Sequence, residues 1–187
     1  SLHAVMLSRA LQRSGTADQA KQVLSVWLAD HPGDVGVLLE LANLEIGQGE
    51  IDASVGYLRQ IVAIDSNNLY ALNNLAWYLR QSSTLEAKRF AEQALTLAPN
   101  EPTVVDTYAA VLAEARDYTA ALRALDQAID RGRDVEALRL RRAETLHQSG
   151  DQAAAVDELN RVLNANPSAA VKARAEKLLA DYSGPAA

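Results

Sequence analysis

The chain has 187 residues, 49% of them apolar, and its 24 Asp and Glu outweigh 18 Lys and Arg to give a net charge of -6. With no cysteine, disulfide scaffolds, thiolate metal sites and thiol nucleophiles are excluded. The acidic balance argues against a broad nucleic-acid surface, which needs a basic face, and aromatic residues at only 5% amid abundant Ala and Leu favour thin, closely packed helices.

Apolar residues begin at once with Leu2, Val5, Met6 and Leu7, and the chain starts at Ser1 without methionine. This reads as a piece cut from a longer chain, with its targeting information elsewhere and its first apolar residues exposed. The sequence then falls into pairs of helical segments. Residues 1–34 hold a first helix, a turn at Ser14-Gly15 and a second helix that ends near Pro32. Residues 35–68 follow Asp34, a plausible N-cap, and turn at Gly47-Gln48-Gly49. Residues 69–101 carry the stripe Leu72, Leu75, Ala76 and Leu79. Their turn, around Ser82-Ser83-Thr84, is one residue short. Residues 102–135 follow Asn100, a second N-cap candidate, and carry Ala121, Leu122, Leu125 and Ala128 at helical spacing. Residues 136–169 follow Asp134, a third candidate, turn at Ser149-Gly150, and put Arg139 and Arg142 where the other segments are mostly apolar. Arg142 is expected to lie partly buried with its head paired. A last helix, 168–182, has Val171, Leu178 and Leu179 to cover the preceding pair, and Lys172, Arg174, Glu176 and Lys177 to face water.

These pairs are repeats of one unit. The small residues Ala20, Ser54, Ala87, Ala121 and Ala155 recur at spacings of 34, 33, 34 and 34, and Ser8, Ala42, Ala76, Ala109 and Ala143 at 34, 34, 33 and 34. A third column, Pro32, Ser66, Pro99, Arg133 and Pro167, marks the ends of the units. Small residues let two helices of one hairpin approach closely, while Leu24, Leu58, Leu125 and Leu159 fill the space between neighbours. One hairpin cannot bury its own apolar stripe, so the units must stack.

The period, the small-small pairing and the Pro-marked ends resemble the tetratricopeptide repeat (TPR) over residues 1–169. The resemblance implies an all-α, right-handed α-solenoid of about five hairpins with a C-terminal capping helix, as a single domain over 1–187. Ala4, Leu38, Leu72, Val105 and Arg139 stand where that family usually has a large aromatic. The strings ALNNLAWYL and AKRFAEQALTLAPNEPTVVDTYAAVLAEARDYTAALRALDQAI are similar to the C-terminal repeats of bacterial TPR lipoproteins from exopolysaccharide or exosortase-linked loci. This narrower likeness implies a periplasmic or envelope-associated parent. TPR arrays are interaction scaffolds without catalysis or cofactor, so the resemblance points to a protein or peptide partner in the concave groove.

In such an array the first helix of each unit lines the concave side. Tyr70, Asn73, Asn74, Trp77 and Arg80 lie opposite the apolar stripe of the third unit. Amides bind peptide backbone, Trp77 offers a flat anchor and Arg80 a carboxylate partner. Asn43 before and Asp106 after extend this surface, and Arg141 faces the same side. A chaperone-carboxylate clamp is excluded: Asn43 and Asn74 match its amides, but Leu39, Thr103 and Thr107 replace its cations.

Two other surfaces are candidates. Arg131, Arg133, Arg139, Arg141 and Arg142 form a group that suits an anion or acidic polysaccharide, unless the interleaved Asp130, Asp134, Glu136 and Glu144 pair with it. The N-terminal end, with Leu2, Val5 and Met6, suits self-association into a homo-oligomer. The histidines His3, His31 and His147 read as solvated surface residues, with no metal-ligand or triad spacing.

Overall fold

The computed structural model describes residues 1–132 and 135–183. Arg133 and Asp134, expected at a unit end and as an N-cap, lie outside the described residues. Among the described residues there are helices and no strands: α1 (Leu2–Arg13), α2 (Ala17–Asp30), α3 (Val35–Gln48), α4 (Ile51–Ile64), α5 (Leu69–Leu79), α6 (Thr84–Leu97), α7 (Pro102–Glu114), α8 (Tyr118–Asp130), α9 (Val135–Gln148), α10 (Gln152–Asn164) and α11 (Ala169–Ser183). None is long and apolar enough to cross a membrane. The chain divides into two compact units, Ser1–Tyr78 and Leu79–Ala187.

In the first unit α1 packs on α2 and α3 on α4, and the hairpins meet through α2 and α3. Ala4, Ala20, Leu24, Val37, Leu41 and Leu44 form the core, flanked by Val5, Leu11, Val23, Trp27, Leu28 and Tyr57. Asp34 is the joint between the hairpins. Its Oδ1 accepts from Val37 N at 3.2 Å, capping α3, and its Oδ2 accepts from Trp27 Nε1 at 2.9 Å. Burial opposes its ionisation, but the bonds from Trp27 and Val37 outweigh it and hold the carboxyl below the usual aspartate range.

In the second unit α7 packs on α8, α9 on α10, and α11 on α10 and α9. One core cluster joins Val105, Ala109, Leu112, Ala121, Leu125, Ala128 and Leu138. A second joins Leu140, Ala143, Leu146, Ala155, Leu159 and Val162 to Ala175 and Tyr182 of α11. Val171, Leu178 and Leu179 pack on it, while Lys172, Arg174, Glu176 and Lys177 stay exposed. Asp117 and Asp151 cap α8 and α10 by accepting from Ala120 N and Ala154 N. Asn100 is not a cap. Glu101 precedes α7, whose first residue Pro102 needs no cap bond from its own nitrogen, and Asn100 Oδ1 instead accepts from Arg131 Nη1 at 3.0 Å.

All ten residues of the two small columns are 0% exposed, as close helix crossings require. A further column appears in the backbone. Gly15, Gly49, Arg116 and Gly150 have φ of 79, 82, 59 and 92°, each just before a second helix. This left-handed residue reverses the chain between paired helices. In the third repeat, which is one residue short, no residue between α5 and α6 has a left-handed φ.

Candidate partner-binding face

In the first unit, α1, α3 and α5 line a cleft of about 430 Å³ bounded by Leu2, Val5, Arg9, Gly36, Leu39, Glu40, Asn43 and Tyr70. Its apolar wall comes from Leu2, Val5 and Leu39. Glu40 is buried and accepts two bonds from Arg9, from Nε at 3.1 Å and from Nη2 at 2.8 Å, with Gln12 Nε2 adding a third donor. Arg9 is thereby oriented along the cleft and pinned to α3. Tyr70 is exposed, and its hydroxyl donates to Asn43 Oδ1, which fixes the Asn43 amide with its oxygen toward α5.

The remaining α5 residues differ in role. Asn74 Nδ2 donates to the Tyr70 carbonyl at 2.8 Å, one turn back on its own helix. Asn73 is half-buried, and its Oδ1 is shielded without a hydrogen-bond partner among the described residues, so it does not present an open amide as the helical spacing suggested. Trp77 is half-buried.

In the second unit the expected site residues are tied to one another. Arg141 grips Asp106 with two parallel bonds, Nε to Oδ1 at 2.8 Å and Nη2 to Oδ2 at 3.0 Å, and reaches Glu144 Oε2 through Nη1 at 2.6 Å. Glu144 also takes Arg174 of α11. The Arg141 side chain is only 12% exposed. Burial opposes its charge, but Asp106 and Glu144 outweigh this and keep it firmly cationic. Arg80 lies 3.8 Å from Glu114, and burial lowers its pKa from the ordinary arginine value. Asp106 and Arg141 therefore brace α7 against α9 as an internally neutralised pair.

The arginine group is likewise paired. Arg139 binds Glu158 at 2.7 Å, and Arg142 binds both Asp126 at 2.7 Å and Glu158 at 3.1 Å. Arg142 is thus partly buried and paired, as expected. Glu158, with its side chain 1% exposed, also takes Arg161. The interleaved acids proved the wrong partners for Arg139 and Arg142, which reach carboxylates on the packed helices α8 and α10. Of the other members, Arg131 donates to Asn100, an amide and not a carboxylate, and Arg133 lies outside the described residues.

One histidine departs from the solvated reading: His147 is half-buried and stacks on Tyr182 with ring centroids 3.7 Å apart and Nδ1 buried. His31 stays exposed, stacking on Trp27 at 4.1 Å while Nδ1 meets the Trp27 carbonyl. Sequence reasoning passed over Trp27, Tyr182 and Glu158. Cross-repeat bonds do follow the period, joining residues 31 apart at Arg9–Glu40, 35 at Arg141–Asp106 and 33 at Gln81–Glu114, but the contacts of Trp27 and Glu158 do not: Trp27 reaches Asp34, 7 residues on, and Glu158 reaches Arg139 and Arg142, 19 and 16 residues back.

Residues 112–182 match the family model described as Tetratricopeptide repeat. A TPR repeat-containing protein of Synechococcus elongatus is 40% identical over 50 residues, which is 27% of this chain and 12% of that protein's length. Among solved structures, a tetratricopeptide repeat protein from Parabacteroides merdae superposes with a TM-score of 0.77 at 17% identity, covering 86% of this chain and 63% of that one. The MamA protein superposes with a TM-score of 0.74 at 16% identity, covering 100% and 97%. Paired helices on a 34-residue period, the match over residues 112–182 and the shared fold agree, and the chain has the all-α tetratricopeptide-repeat fold.

Proposed function

We propose that the chain is a non-catalytic scaffold that seats an extended segment of a partner protein on the first-helix face of its N-terminal unit. The cleft between α1, α3 and α5 carries this reading, because it joins an apolar wall to a polar rim. An apolar partner side chain enters against Leu2, Val5 and Leu39. The Asn43 amide N–H groups bond the partner's backbone carbonyls, and Tyr70 and Trp77 supply flat contact area at low entropic cost. Asn73 and Asn74 shape the α5 side of the seat. In the second unit, Arg80, Asp106 and Arg141 are proposed as secondary contacts, weakened by their prior pairing. The likeness of the α5–α8 sequence to repeats of exopolysaccharide-locus lipoproteins supports a partner within a bacterial envelope assembly.

Peptides selected from a random display library test the seat. The expected result is that selected peptides share an apolar anchor and that Leu39→Asp or Tyr70→Ala weakens them at least about tenfold, the equivalent of about 1.4 kcal/mol. Undiminished binding to both variants would overturn the assignment.

A further inference from the structure

In the second unit, Asp126, Ile129 and Asp130 of α8, Arg139 and Arg142 of α9, and Glu158 and Arg161 of α10 line a cavity of about 340 Å³. The three α8 residues share one helix face, because positions i, i+3 and i+4 are neighbours on a helix surface. Glu158 is the buried anchor. Its Oε1 accepts from Arg139 Nη1 at 2.7 Å, and its Oε2 accepts from Arg142 Nη1 at 3.1 Å and from Arg161 Nη1 at 3.3 Å. Arg142 also donates from Nε to Asp126 Oδ1 at 2.7 Å.

These bonds leave a defined remainder. Arg139 and Arg161 each spend only Nη1, so their Nε–Nη2 edges have no acceptor among the described residues. That edge is the side of a guanidinium that meets a carboxylate with two parallel bonds. Asp130 is exposed and pairs with no cation among the described residues, and Asp126 uses only Oδ1. Spare donors on α9 and α10 and spare acceptors on α8 therefore line one cavity without meeting. Counting every charged side chain on the lining, Arg139, Arg142 and Arg161 balance Asp126, Asp130 and Glu158, so the cavity is neutral with its unused charges segregated by helix. A lone anion entering it meets three carboxylates, and a lone cation meets three guanidiniums. A molecule carrying both charges matches both sets and adds no net charge. Ile129 is the one apolar side chain among the lining residues described, which leaves little to hold an apolar group. We infer that this cavity binds a small polar zwitterion of the amino-acid class, its carboxylate on the open edges of Arg139 and Arg161 and its ammonium on Asp126 and Asp130. Bound there, it ties α8 to α9 and α10 and so links the fourth hairpin to the fifth.

Titration of the full chain at low ionic strength, followed by NMR of the arginine side-chain Nε–Hε signals, tests this. The probes are glycine, glycylglycine, acetate and methylammonium, each from about 10 μM to about 10 mM. One of the two zwitterions is expected to shift the Arg139 and Arg161 signals saturably, at least about tenfold more tightly than acetate or methylammonium. Which of the two it is gives the span between the charges. Arg161→Ala and Asp130→Asn, both at exposed residues, are each expected to weaken the zwitterion at least about fivefold with unchanged helical circular dichroism. Asp130→Asn is also expected to tighten acetate, since it removes a repelling carboxylate; a purely structural role for Asp130 would not move the two probes in opposite directions. No saturation with either zwitterion, acetate binding as tightly as they do, or undiminished affinity in both variants would overturn the inference. Tyr70→Ala, in the first unit, is expected to leave this binding unchanged, which separates the cavity from the peptide seat.

Discussion

A buried hydroxyl that finds no acceptor weakens the helix crossing it occupies. Ser54 is such a group: it is fully buried, and its Oγ has no hydrogen-bond partner among the described residues. Its column holds Ala in the other four repeats, so Ser54→Ala is expected to stabilise the chain by about 1 kcal/mol, read as a rise in denaturant midpoint at unchanged slope. Ala42→Leu is expected to destabilise by about 1–3 kcal/mol, because the added side chain forces the crossing apart. The turn column gives a second pair of effects. Arg116 holds φ 59° where three repeats place glycine, so Arg116→Gly is expected to raise the melting temperature by about 1–3 °C. Gly49→Ala is expected to lower stability by about 1 kcal/mol. A Cβ at Gly49 meets no atom within 4 Å, so that loss reports backbone conformation alone.

At the scale of elements, α11 is the clearest case of a helix held by a few side chains. Tyr182 inserts beside His147, and its carbonyl accepts from Gln152 Nε2. Burial first, then the negative charges of Glu144 and Asp181, push the Tyr182 phenol up to about 12 against the opposing Arg174 and Arg141. A phenol held protonated in the folded chain contributes its full stability below the ordinary tyrosine value of about 10 and loses it as pH rises toward about 12. Alkali is therefore expected to loosen α11, with late phenolate absorbance that Tyr182→Phe removes. Glu158 plays the corresponding part for α9 and α10. Glu158→Gln is expected to cost about 1–3 kcal/mol, less than the roughly 3–5 kcal/mol of a fully buried pair, since water reaches its arginine partners. The helices and the α11 cap were legible in the sequence because periodicity and small columns encode burial directly. The partners of Glu158 were not. Arg139 and Arg142 have acidic neighbours in sequence, and only the packing of α9 on α8 and α10 selects Asp126 and Glu158 instead.

At the scale of the molecule, paired charge braces both units: Arg9–Glu40 in the first and Arg141–Asp106 in the second. The 34-residue period identified which helices are first in each repeat and so brought Asn43 and Tyr70 to one face, where they bond directly. It could not show that Asn73 is shielded, nor that Asp106 and Arg141 neutralise each other, since that pairing depends on side-chain reach between residues 35 apart in sequence. Nor did it reveal the cleft, whose wall combines Leu2 and Val5 of α1 with Leu39 of α3. With Asp106 and Arg141 spent on bracing, the N-terminal unit carries the proposed recognition of a partner segment. Calorimetric titration of a selected peptide against the native chain and the Tyr70→Ala, Trp77→Ala double variant tests this most directly. The account predicts that the variant keeps its helical circular dichroism and loses at least about 2 kcal/mol of binding free energy. Equal affinity for both proteins would contradict it.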